Sequence, residues 1–96
     1  FSPIVSVTAV ENDEEAVSHA NAGDYGLIGA VFSRDTAAAQ RIAEAVRAGA
    51  MHVNGPSVGD EPHVPFGGLR ASGFGRLGGE ESVRFFTEQR TYYLHQ

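Results

Sequence analysis

Four residues with chemistry to offer fall within twelve positions of one another: His52, Asp60, Glu61 and His63. Two imidazoles and two carboxylates are nitrogen and oxygen donors of the kind that hold a metal ion, and an imidazole can also serve as a general base. The pattern stops short of a ligand set. No second cluster completes a coordination shell, and acids and histidines in a proline-bearing loop are usually solvated or capping groups, so no metal is expected. General-base catalysis lacks a nucleophile to act on, because the chain contains no cysteine and no serine, histidine and acid stand at a diagnostic spacing. No catalytic residue is assigned. A second pattern, Gly73, Gly75 and Gly78, satisfies G-x-G-x-x-G, whose glycines let a pyrophosphate approach a helix N-terminus. It follows no strand, opens no β-α-β unit, and leaves no room for an acidic ribose-binding residue further on. It reads instead as glycines that allow a twisted loop to pack closely.

The elements that would have to carry these residues are legible from hydrophobic period and punctuation. Residues 4–10 alternate, with Val5, Val7 and Ala9 on one face and Ser6 and Thr8 on the other, which predicts a half-buried strand. Asn12 with Glu15 three residues on forms a capping-box pattern, the acids Asp13, Glu14 and Glu15 suit the positive end of a helix dipole, and Gly23 stops the helix. Residues 28–32 form an unbroken apolar run, which predicts a strand covered on both faces in a parallel sheet. Asp35 caps a second helix with Ala39, Ile42, Ala43 and Val46 at i, i+3, i+4 and i+7, and Gly49 is its expected C′ residue. Residues 51–53 supply a third strand. The outcome is an α/β fold with a parallel β-α-β-α-β layer.

Composition then shifts. Eight of the 12 glycines and three of the four prolines lie between Gly55 and Gly79. So long a loop within a domain is either functional or disordered, and Phe66, Leu69, Phe74 and Leu77 give this one apolar anchors, so an ordered, backbone-rich loop lining something is expected. Residues 80–86, led by Glu80 and Glu81, predict a short helix. Residues 90–95 predict a terminal strand with Tyr92 and Leu94 on one face. A terminal edge strand leaves backbone groups unpaired, and pairing with another subunit would satisfy them.

Composition also narrows the partners. Twelve acids oppose seven bases, for a formal charge of −5, and every base is an arginine, scattered from Arg34 to Arg90. Without a basic stripe no nucleic-acid partner is expected. No apolar run approaches the ~20 residues of a membrane span and no leader pattern opens the chain, so no membrane partner and a cytoplasmic location are expected. Ninety-six residues permit one modest core. The start at Phe1, with a strand close behind it, reads as a chain cut from something longer.

An ordered set of short motifs is more specific than any of these alone. Phe1-Ser-Pro3, Ala20-Asn21, Tyr25-Gly26-Leu27, Ala48-Gly49, Val53-Asn54, Pro65-Phe66-Gly67-Gly68, Ser72-Gly73, Gly75-Arg76 and Phe86-Thr87-Glu88 together resemble the C-terminal portion of an NAD(P)-dependent aldehyde dehydrogenase. The resemblance covers essentially the whole chain. The stretches from His52 to Pro56, Asp60 to Gly68 and Ala71 to Arg76 are most similar to the branch acting on aromatic aldehydes such as benzaldehyde, vanillin and salicylaldehyde. Two residues depart from the family pattern, Ser2 where glycine is usual and Arg70 where lysine is common.

The resemblance implies roles position by position. Residues 1–86 correspond to the end of the catalytic domain and 87–96 to the oligomerisation strand. Phe1 matches the phenylalanine that lies against the nicotinamide of NAD or NADP, and Phe66 matches the one that walls the substrate tunnel. Arg76, Glu88, Tyr92 and Leu94 correspond to subunit contacts in a homo-oligomer. The parent enzyme would oxidise a small-molecule aldehyde to the acid through a cysteine thioester. The cysteine and the general-base glutamate belong to more N-terminal segments, so the isolated chain is expected to be inactive. The rival reading is a stand-alone, non-catalytic α/β module that assembles through its last strand.

Overall fold

Asn12 begins the regular structure by capping α1 (Asp13–Asn21): its Oδ1 accepts from the Glu15 backbone N–H at 2.9 Å. The Glu15 carboxylate returns the contact one residue further upstream than a standard capping box, accepting from the Glu11 N–H at 2.7 Å. The computed structural model describes residues 2–96. After α1 come β1 (Tyr25–Gly26), β2 (Ile28–Val31), α2 (Thr36–Ala45), β3 (Ala50–Val53), β4 (Leu69–Arg70) and α3 (Gly79–Phe86).

The expected parallel connection is present once. β2 and β3 pair in parallel, Ile28 opposite Ala50 through Val31 opposite Val53, and α2 crosses between them. Asp35 caps α2 by accepting from the Ala38 N–H at 3.0 Å, and Ala39 on the inward stripe is fully enclosed. The second β-α-β unit is not formed. Residues 4–10 belong to no ladder among the described residues, and Ile4, Val5 and Val7 lie exposed. Alternation marks a surface suited to a strand, but a strand also needs a second backbone to take up its donors and acceptors, and no described segment offers one. For the same reason β2 is not covered on both faces: α2 packs on the pair, while Ala30 and Phe32 remain exposed.

Gly49 also departs from expectation. α2 closes at Val46, whose extended backbone (φ −82°, ψ 128°) turns the chain away. Gly49 lies three residues further on, donates to the Gly26 carbonyl at 3.0 Å, and is pressed so closely by the Gly67 carbonyl that no Cβ would fit. Its smallness serves a backbone crossing, with no helix end involved.

The glycine-rich stretch is ordered by backbone pairing. β4 runs antiparallel to β1, with Tyr25 opposite Arg70 and Gly26 opposite Leu69. Phe66 and Leu77 exchange both of their backbone hydrogen bonds, at 2.6 and 2.9 Å. Gly78 and Gly79 adopt positive φ (91° and 53°), and a Cβ on either would run into the Val64 or His63 carbonyl. Gly78 therefore lets the loop pack closely, as expected of the glycine motif, whereas Gly73 and Gly75 take positive φ with open space where a Cβ would stand.

The core is smaller than chain length allows. Ala39 is the one apolar side chain fully enclosed among the described residues. The radius of gyration is 18.1 Å, against roughly 12.5 Å for a compact domain of this length. Large apolar side chains face outward at both ends of the chain, in the glycine-rich loop and along α3, including Phe74, Phe85, Phe86, Tyr93 and Leu94. No described helix is long and apolar enough to cross a membrane.

Candidate functional site

Phe66 stands where the glycine-rich strap meets β3. The backbone exchange with Leu77 fixes it on one side, and Gly67, wedged on Gly49, fixes it on the other. Phe66 is half-buried and, with Met51, Val64 and Pro65, lines the apolar wall of a cleft of about 250 Å³. His52, Asp60 and Glu61 lie at the same cleft. The structure thus brings three of the four chemistry-bearing residues together, although His52 comes from a strand and the acids from a loop. The fourth, His63, places Nε2 3.2 Å from the Glu61 carboxylate, with both side chains largely in solvent. No group of three or more His, Cys, Asp or Glu among the described residues could hold a metal ion. An apolar wall with a polar rim can seat a ring and orient a hydroxyl group. It contains no nucleophile.

The strap that carries Phe66 is tied down at its far end by residues that hydrophobic patterning does not reveal. Ser72 Oγ accepts from the Gly26 N–H at 2.9 Å, and the Ala71 N–H donates to the Asp24 carbonyl at 2.9 Å. The Arg70 guanidinium bonds the carbonyls of Asn21, Gly23, Tyr25 and Arg47. Asn21 joins the ends of the two helices, donating from Nδ2 to the Ala45 carbonyl at 3.0 Å and accepting the Arg47 N–H at 2.7 Å. The signal that could have found this hub is the Ala20-Asn21 and Ser72-Gly73 dipeptides of the family pattern, which name the positions without showing what they touch.

The remaining site residues are placed as follows. Phe1 lies outside the described residues. Arg76 is half-buried and donates from Nη1 to the Gly68 and Gly75 carbonyls, at 3.0 and 2.7 Å. Glu88 is exposed and forms no ion pair among the described residues; within the neighbouring α3, Arg84 pairs with Glu80 and Glu81 at 3.3 and 3.1 Å. Residues 88–96 form no ladder among the described residues, with Tyr92 beneath the Arg90 guanidinium at 4.6 Å and Leu94 94% exposed. The end of the glycine motif is a poor fit for a dinucleotide's pyrophosphate. Carbonyl oxygens of His63 and Val64 fill the space beside Gly78 and Gly79, and such oxygens repel a pyrophosphate.

The aldehyde dehydrogenase family model matches residues 1–92. This chain belongs to the aldehyde dehydrogenase family. Among curated relatives, the vanillin dehydrogenase of Pseudomonas fluorescens is 43% identical over 90 residues, covering 94% of this chain and 19% of its own. Among solved structures, the betaine aldehyde dehydrogenase of Staphylococcus aureus in complex with NAD+ superposes with a TM-score of 0.84 at 38% identity, over 88% of this chain and 16% of that one. The salicylaldehyde dehydrogenase of Pseudomonas putida G7, complexed with salicylaldehyde, gives 0.80 at 32% identity, over 88% and 19%. The chain therefore spans about a fifth of the length of the relatives it matches, and its α/β arrangement is that of the family.

Proposed function

We propose that this chain is the C-terminal part of an aldehyde dehydrogenase that oxidises an aromatic aldehyde to its acid with NAD or NADP, and that its own contribution is the substrate wall at Phe66 and the assembly strand. The observation that carries the reading is the position of Phe66, held by backbone contacts on both sides at the wall of an apolar cleft whose polar rim suits a ring bearing a hydroxyl group. The similarity to a vanillin dehydrogenase and to a salicylaldehyde dehydrogenase supports the same substrate class. The chain's residues bind and orient. The nucleophile, a cysteine, must come from elsewhere, since this chain has none. Assembly would use Tyr92 and Leu94 on the tail, with Arg76 and Glu88 at the junction, because an exposed terminal segment with aromatic side chains has backbone groups to pair and apolar faces to cover.

The stand-alone module is the weaker reading, because an enclosed core reduced to Ala39 leaves too little burial to offset chain entropy. The test is Phe66→Ala in the natural polypeptide that carries this segment. Removing the ring forfeits contacts with an aromatic substrate worth about 1 to 3 kcal/mol, so the ratio of kcat/KM for benzaldehyde over acetaldehyde should fall about tenfold or more. An unchanged ratio would remove Phe66 from the substrate path.

A further inference from the structure

The carboxyl ends of α1 and α2 converge beside β1, and each brings unpaired carbonyls and the negative end of a helix dipole. Arg70 reaches this point from the strap. Its Nη1 donates to the carbonyls of Asn21, at 3.0 Å, and of Gly23, and its Nη2 to those of Tyr25, at 2.8 Å, and Arg47, at 3.4 Å. Its Nε is buried without a partner, so the side chain is held by its terminal nitrogens alone. The backbone of Arg70 sits at φ 54°, in the left-handed region, which a residue with a side chain adopts only when its surroundings compel it. Four carbonyls around one planar cation form a cage that a guanidinium fits by shape as well as charge.

Three residues separate this cage from Phe66, and they have no slack. The Gly67 carbonyl presses on Gly49, Gly68 lies against Ser72, and Leu69 pairs with Gly26. A shift of Arg70 is therefore passed along the strap to the Phe66 ring. We propose that Arg70 is a positioning residue for the substrate wall: its guanidinium plugs the carbonyl cage at the meeting of the two helix ends and so fixes how Phe66 enters the cleft. This rests on the reading that Phe66 lines the aldehyde path.

The test uses the natural polypeptide with Phe66→Ala, Arg70→Ala, Arg70→Lys and the Phe66→Ala/Arg70→Ala pair. Arg70→Ala should raise KM for benzaldehyde about tenfold while leaving kcat and the KM for acetaldehyde within about threefold. Added to Phe66→Ala it should lower selectivity no further, since both changes would remove one wall. Low-millimolar guanidinium, but not sodium at equal ionic strength, should restore the benzaldehyde KM of Arg70→Ala. Arg70→Lys should fall between wild type and Arg70→Ala, because an ammonium offers fewer donors than the four bonds it replaces. Selectivity losses that add in the double variant would overturn the proposal, as would wild-type selectivity in Arg70→Ala alongside a reduced melting temperature. If Arg70→Ala does not fold, wild-type selectivity in Arg70→Lys would do the same. Altered selectivity in Phe66→Ala with none in the Arg70 variants defeats the positioning role alone, whereas unaltered selectivity in Phe66→Ala defeats the substrate-wall reading beneath it.

Discussion

Adding one methyl group at Gly23, Gly29 or Gly49 is the same chemical change in three settings, and the structure ranks the results. At Gly49 the new Cβ would collide with the Gly67 carbonyl oxygen and lie 2.8 Å from its carbon and 3.1 Å from Gly68 Cα, all of them backbone. Backbone on both sides cannot rotate aside, so the cost belongs at the upper end of the overpacking range, about 3 kcal/mol. At Gly29 the obstacles are Met51 Sδ and Cε, at 2.5 and 2.9 Å. An unbranched thioether can change rotamer, which limits the cost to about 1 kcal/mol. At Gly23 nothing lies within 4 Å of the added atom, and the backbone there is not left-handed. Alanine at that position should be neutral or stabilise by about 0.4 to 1 kcal/mol by restricting the unfolded chain. Urea unfolding of the natural polypeptide carrying each substitution, followed by circular dichroism in one buffer, should give midpoints in the order Gly23→Ala, Gly29→Ala, Gly49→Ala from high to low. A Gly49→Ala midpoint equal to that of Gly23→Ala would refute the close crossing of strap and β3 on which the placement of Phe66 depends.

Asn21→Ala removes a donor and an acceptor from the end of α2 and should cost about 1 to 3 kcal/mol; Asn21→Asp keeps the acceptor for Arg47 and should cost less, and equal melting of the two variants would count against the clamp. The isolated 96-residue chain should form no NAD(P)H from benzaldehyde, since it has no thiol to attack the carbonyl; formation above a heat-killed control, in protein from a host without its own dehydrogenases, would contradict this. Deleting the residues from Arg90 onward should lower the molar mass of the natural polypeptide in light scattering, and an unchanged mass at every concentration would deny the tail its assembly role.

Local signals were read correctly where a residue's partner lies close by in sequence. Asn12 and Asp35 cap the helices they were expected to cap, because each bonds a backbone N–H three residues on. β2 and β3 followed from apolar runs flanking a helix whose length suits a crossover. What escaped notice depends on distant partners. Residues 4–10 have the alternation of a strand, yet pairing is not a local property and no described segment takes them up. The two-residue pairing of β1 with β4 is too short to leave a period. Arg70 looks like any exposed base in sequence, since neither its left-handed backbone nor the four carbonyls around it can be read from residue type. At the site, Phe66 came from resemblance alone, and what the structure adds is the company of His52, Asp60 and Glu61 around its cleft.

The spacing of paired strands also orders events in time. Ile28 meets Ala50, 22 positions along, but Tyr25 meets Arg70 only after 45. Doubling a loop adds about 0.6 kcal/mol to the entropy of closing it, and the longer closure gains only two pairs of residues in return. The unit built from β2, α2 and β3 should therefore condense first, with its contacts made over short separations. The strap would dock afterwards onto a surface already formed, and Arg70 would be its latch. Run in reverse, the same sequence places the strap among the earliest segments to detach under heat or denaturant. The proposed substrate wall would then be lost while the parallel pair behind it still stands, so substrate selection should fail at milder conditions than the fold itself.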